Sequence, residues 1–121
     1  MDNIKTLVIG ASTNPDRYSF KAIQALRRHG HEVVALGLRE GEVAGVPIVK
    51  ARPENPGADT VTLYVGAKHQ PEYYDYLLQI KPRRVIFNPG AENPELETLL
   101  RQNSIEPVEA CTLVMLATGQ Y

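Results

Sequence analysis

The residues of this 121-residue chain best suited to chemistry lie in short turns: Gly10-Ala11-Ser12-Thr13, Arg17, Ser19, Arg39, Lys68, Asn88, Glu92 and Cys111. Gly10 permits a tight turn, while Ser12 and Thr13 offer hydroxyls and backbone N–H groups to an anion near a helix N-terminus. Arg17, inside the same turn, suits a bidentate clamp on a pyrophosphate; its competing role is a surface ion pair with Asp16. The turn is not the full dinucleotide fingerprint, because in a GxGxxG register Ser12 holds the second glycine position and Pro15 the third. Arg39 closes the second apolar run, where an NAD site carries an acid for the ribose diol. A cation there fits a phosphorylated ribose, as in coenzyme A or NADP, against the bland reading of a pair with Glu40 or Glu42. Asn88 and Glu92 flank a second sharp turn, Asn88-Pro89-Gly90-Ala91-Glu92, whose composition turn geometry explains equally well. Cys111 follows the last apolar run, near a predicted helix start that would favour a thiolate; burial as an inert side chain is the competing expectation. His29, His31 and His69 make no metal-ligand set, and no nucleophile-base-acid group can be assembled.

The elements that must hold these turns alternate between strand and helix. Ile4 to Ile9 is a first apolar strand, and Asn14-Pro15-Asp16 delays the helix that follows over Ser19 to Arg28, with Phe20, Ile23 and Leu26 on one face and Gly30 as its left-handed terminator. Glu32 to Leu38 is a second strand and Arg39 to Gly45 a glycine-punctuated loop. Val46 to Val49 is a short third strand, expected at an edge because of Pro47 and because the loop is too short for a parallel crossover. Thr60 to Val65 is a buried fourth strand. His69 to Ile80 predicts a helix with Pro71 in its first turn, in which Tyr73, Tyr74 and Tyr76 serve core and interface. Arg84 to Phe87 is a fifth strand. A helix opens at Asn93-Pro94-Glu95 with Leu96, Leu99 and Leu100 as its apolar face. Ile105 to Val108 is a last strand, and Thr112 is placed to cap a short helix through Leu116. This order predicts an α/β, Rossmann-like three-layer fold, a mostly parallel sheet of five to six strands with helices on both faces. Its ligand edge is the carboxyl end of the strands, at the switch point between the first and fourth.

Composition narrows the partners. A formal net charge of -1, scattered rather than in blocks, argues against nucleic acid or a polybasic membrane patch and favours a small molecule. No basic-then-apolar leader and no membrane-length apolar run are present, so a cytoplasmic protein is expected. One cysteine excludes an intrachain disulfide and a cysteine-built zinc cage. The length fits a single domain over residues 1–121.

Val8-Ile9-Gly10-Ala11-Ser12, then Pro15-Asp16-Arg17 and Ser19, Gly30-His31-Glu32-Val33-Val34, Gly41-Glu42-Val43-Ala44-Gly45, Asn88-Pro89-Gly90 and Cys111 form an ordered series over nearly the whole chain. This series resembles the small stand-alone CoA-binding domain proteins, themselves similar to the CoA-binding domain of the succinyl-CoA synthetase alpha subunit. The resemblance implies a Rossmann-like domain holding CoA or an acyl-CoA. Gly10, Ala11, Ser12 and Arg17 would surround the phosphates and Arg39 would lie near the ribose phosphate. Two departures stand out: Gly37-Leu38 replace the family's Asn-Pro after the second strand, and Lys68 stands where many members carry an arginine. The expected function is CoA binding without catalysis. The alternatives are an NADP-linked or acyl-CoA enzyme subunit completed by a partner, and an interaction module that has lost its nucleotide. A homodimer is compatible with the sequence but not derivable from it.

Overall fold

The computed structural model describes residues 3–121. The strands are β1 (Thr6–Ala11), β2 (Val33–Gly37), β3 (Gly41–Val43), β4 (Val46–Val49), β5 (Thr60–Leu63), β6 (Arg84–Phe87) and β7 (Glu106–Glu109). The helices are α1 (Tyr18–Arg28), α2 (Tyr74–Ile80), α3 (Pro94–Gln102) and α4 (Thr112–Ala117). All strands join one seven-stranded sheet in the order β3-β4-β2-β1-β5-β6-β7. Every pairing is parallel except β3 with β4. The chain winds outward from β1 through β2 and returns on the other side of β1 as β5, so the switch point lies between β1 and β5. This is the α/β Rossmann-like architecture expected from the strand and helix alternation.

Helices α2 and α3, with Tyr73 just before α2, cover one face of the sheet, packing Tyr73, Tyr76, Leu77, Leu96 and Leu100 against Leu7, Ile9, Val61, Leu63, Val85 and Phe87. On the other face α1 and α4 pack Ile23, Ala25, Leu26 and Leu116 against Val8, Ala11, Ala35 and Ile48. The alternation breaks at Gly10. Ile9 pairs with Leu36 but Ala11 pairs with Gly37, so Gly10 is a bulge that turns Ala11 toward α1 instead of leaving it on the face of Ile9. Only glycine fits this bulge: φ is +95°, and a Cβ would approach the Tyr64 carbonyl oxygen to 2.6 Å.

Several boundaries differ from the sequence expectation. β1 continues past Ile9 to Ala11. The third predicted strand, now β4, is not an edge: it lies between β2 and a further strand, β3, that occupies the expected loop. β3 returns antiparallel in the plane of the sheet, which lets so short a connection precede a parallel strand. Pro47 is accommodated because β4 meets β2 only at Ile48 and Val49. The helix expected from His69 begins at Tyr74, preceded by single 3₁₀ turns at Ala67–His69 and Pro71–Tyr73. Thr112 does not cap α4; Cys111 holds the cap position, without a side-chain cap hydrogen bond, and Thr112 is the first helical residue. The ends of α1 and α3 follow the sequence: His31 N–H closes onto the Leu26 carbonyl around left-handed Gly30, and Asn93 Oδ1 accepts from Leu96 N–H (3.2 Å).

Candidate functional site

The carboxyl ends of β2, β1 and β5, neighbours in the sheet, release the loops that carry Arg39, Gly10 to Arg17, and Lys68. With about 4.8 Å between strands, these loops start within roughly 10 Å of one another, the span of a nucleotide's phosphates. The first loop is self-supported. Ser12 Oγ accepts from Asn14 N–H (3.0 Å), Asn14 Oδ1 accepts from Asp16 N–H (3.0 Å), and Arg17 N–H donates to the Asn14 carbonyl (3.0 Å). These bonds hand the chain to α1 with Arg17 at the cap position and no side-chain cap hydrogen bond, leaving the first-turn N–H groups without a side-chain acceptor. Arg17, Arg39, Lys68 and Thr13 are exposed, and none of the three cations forms an ion pair among the described residues. A helix start with open N–H groups beside unpaired cations suits a polyanion.

Other predicted site residues are placed differently. Ser19 is buried on the sheet side of α1, so its hydroxyl is not on the open surface. Asn88 is 2% exposed. Its Nδ2 donates to Thr62 Oγ1 (2.6 Å) and the Leu63 carbonyl (2.9 Å), and its Oδ1 accepts from Thr112 N–H (2.9 Å). The amide is therefore turned into the protein, joining β5, β6 and α4 beneath the edge, and is not presented to a ligand. Glu92 is exposed but folds back to accept from Gly90 N–H (2.8 Å), closing its own turn. Cys111 is half-buried at the start of α4. Ala11 lies in the bulged end of β1, with its carbonyl 2.5 Å from where a Cβ on Gly37 would be. The glycine that departs from the family's Asn-Pro thus sits at a close approach of two backbones, and Leu38 beside it is 85% exposed at the same edge.

Thr62, Tyr64 and Gln70, which the sequence does not mark as site residues, and Thr112, expected only as a helix cap, complete the edge. Thr62 and Thr112 share a hydrogen bond (2.8 Å). The Tyr64 hydroxyl is buried beside them without hydrogen-bond geometry to a partner among the described residues, and burial pushes its pKa well above the usual phenol value. Gln70 is 0% exposed. Its Nε2 donates to the Val65 carbonyl (2.8 Å) and the Ala91 carbonyl (2.7 Å), and its Oε1 accepts from Asn93 Nδ2 (2.9 Å). One signal for Gln70 was present in the sequence: it shares the i, i+3, i+7 stripe of Tyr73 and Leu77, so a helical reading already places it inward.

Comparison with known proteins gives the family and the fold. The model of a family described as "CoA binding domain" matches residues 5–117. No curated protein matches the chain. The chain is similar to the crystal structure of an uncharacterized protein, with 49% identity over 100% of both chains and a TM-score of 0.96. It shares its fold with a cell-free protein from Thermus thermophilus (20% identity, 98% of this chain and 91% of that one, TM-score 0.80). A hypothetical protein from Pyrococcus horikoshii OT3 is similar in the same way (22% identity, 96% and 83% covered, TM-score 0.86). Among the described residues no helix is long and apolar enough to cross a membrane.

Proposed function

Because the chain belongs to the CoA-binding domain family, we propose that it binds coenzyme A or an acyl-CoA at the carboxyl edge of its sheet, as one domain over residues 1–121, without a reaction of its own. The observation that carries the reading is the set of open α1 N–H groups with unpaired Arg17, Arg39 and Lys68 on the loops of three adjacent strands. Ser12, Thr13 and the first turn of α1 would hold the pyrophosphate with Arg17, and Arg39 would take the ribose phosphate. Lys68 and the loop after β6 would face the pantetheine arm, with Cys111 at the far side of the edge. The ligand supplies a thiol that carries acyl groups; the protein binds and orients it.

Thermal melting with CoA, acetyl-CoA, NADP, NAD and ATP in parallel tests this reading. A ligand present at about a hundredfold its Kd adds about 2.7 kcal/mol, several degrees for a domain of this size. Stabilisation by CoA species alone, with acetyl-CoA recovered intact, is the expected result. Stabilisation by NADP instead would support the enzyme-subunit reading, and no shift with any nucleotide would support a module without its ligand.

A further inference from the structure

The paired ladder of β5 and β6 ends at Leu63 and Phe87, yet the loops that leave these strands stay joined. Side-chain amides continue the work of the backbone. Asn88 reaches the Leu63 carbonyl, and one step further out Gln70 bridges the Val65 carbonyl of one loop and the Ala91 carbonyl of the other. The bridge then runs outward: Asn93 Nδ2 donates to both Gln70 Oε1 (2.9 Å) and the Tyr74 hydroxyl (2.9 Å), and that hydroxyl donates to Glu95 Oε1 (2.9 Å). A fully buried primary amide is costly unless its donors and acceptor are satisfied, and here both Nε2 hydrogens and the oxygen have protein partners. An apolar side chain of similar size would fill the space but leave two carbonyls and one Asn93 Nδ2 hydrogen without their partner, the other still held by the Tyr74 hydroxyl.

We propose that Gln70 is a positioning residue of the ligand edge, setting the separation between the Lys68 loop and the Gly90-Ala91-Glu92 turn so that together they receive the arm of the bound molecule. The inference rests on the CoA reading. In that reading the nucleotide end is held by the loops after β1 and β2, so Gln70 acts on the pantetheine side only.

The test compares wild type, Gln70→Leu and Asn93→Ser for binding of CoA and of adenosine bisphosphate, its nucleotide half, by calorimetry. Ser preserves a cap for α3 while removing the donor to Gln70, which keeps the experiment usable if Gln70→Leu does not fold. The expected result is CoA affinity lowered about tenfold or more by either variant while adenosine bisphosphate affinity changes by less than about threefold. Equal losses for both ligands, or none, would overturn the positioning role. If wild type binds neither ligand, the CoA reading falls and hydrogen exchange decides the clamp. Gln70→Leu, or Asn93→Ser if it does not fold, should then speed amide exchange about tenfold or more in 64–69 and 89–93 without speeding α1, and unchanged exchange there would overturn it.

Discussion

The two ends of the same sheet treat charge in opposite ways. At the amino end Lys5 pairs with Glu32 (3.2 Å) and Arg83 is bidentate to Asp59 (2.9 and 3.1 Å). Arg84, only 7% exposed, donates to Thr60 Oγ1 (2.8 Å) and lies over the Tyr121 ring at 4.7 Å, while the Tyr121 hydroxyl is hydrogen-bonded to Thr6. At the carboxyl end Arg17, Arg39 and Lys68 have no such partners among the described residues. Lys5, Arg83 and Arg84 are therefore part of the fold, whereas Arg17, Arg39 and Lys68 are available to something the fold does not contain; Arg52, beyond the carboxyl end of β4, is tied down by Glu72 (3.0 Å) and does not belong to that set. Removing a cation at the amino end should be read in stability, and removing one at the carboxyl end in affinity.

The largest effect expected from this contrast is at the carboxyl end. Replacing both Arg17 and Arg39 by alanine should weaken CoA binding by about a hundredfold or more, since hydrogen bonds to charged groups contribute about 1.5–3 kcal/mol each. The salt dependence of binding should flatten as well. Both side chains are exposed, so the denaturation midpoint should move by no more than about 0.5 kcal/mol of stability. Titration calorimetry at two salt concentrations, with a urea melt, checks both halves. Affinity within twofold of wild type would break the comparison at its functional end.

Much of this arrangement was legible in the residues, because long apolar runs ending in glycine or proline turns specify parallel strands and the edge where their loops open. The left-handed Gly30 and the Asn93 cap follow from local chemistry alone, whereas Gly10, expected to close the first strand, is a bulge within it. β3 was not legible: Gly41-Glu42-Val43 has no apolar run, and its hairpin turns through Ala44 (φ 50°) and Gly45 (φ 79°), without the Asn-Gly or Asp-Gly pair that usually marks two left-handed residues. The roles of Asn88 and Gln70 were hidden for another reason. An Asn in a Pro-Gly turn looks like a turn residue and a Gln on the inward stripe of a predicted helix looks like packing, and only the approach of two loops distant in sequence shows their amides crossing between them. Site residues with local causes can be read from sequence, and those defined by tertiary approach cannot.

A smaller effect belongs to the amino end and depends on pH. His31 is 3% exposed, and its Nδ1 accepts from Ile4 N–H (2.9 Å), so the fold requires the neutral ring with that nitrogen bare. Burial first, then the charges of His29 and Arg84, holds its pKa below the ordinary 6.5. The unfolded chain therefore takes up a proton before the folded one does. Stability from this site is complete above about pH 6.5 and declines as pH falls below it. His31→Gln should flatten that part of the pH profile, measured by urea midpoints at about pH 7.5 and about pH 5. An identical slope in the variant would place the titration elsewhere and leave His31 out of the contrast.

The smallest effect is also the most exacting for the contrast. Arg83 and Asp59 are partly exposed, and pairs of that kind contribute about 0.2–1 kcal/mol. Arg83→Ala should thus lose only a few tenths of a kcal/mol near neutral pH. The Asp59 carboxyl is held below its usual range chiefly by the Arg83 hydrogen bond, with help from Thr60, so stability from the pair is present above the unfolded value of 3.8 and disappears as pH falls through the folded one. The difference between variant and wild type should accordingly vanish in acid, while CoA affinity stays unchanged at every pH. A variant whose affinity falls along with its stability would show that the two ends of the sheet are coupled, and charge at the amino end would then belong to the binding site as well as to the fold.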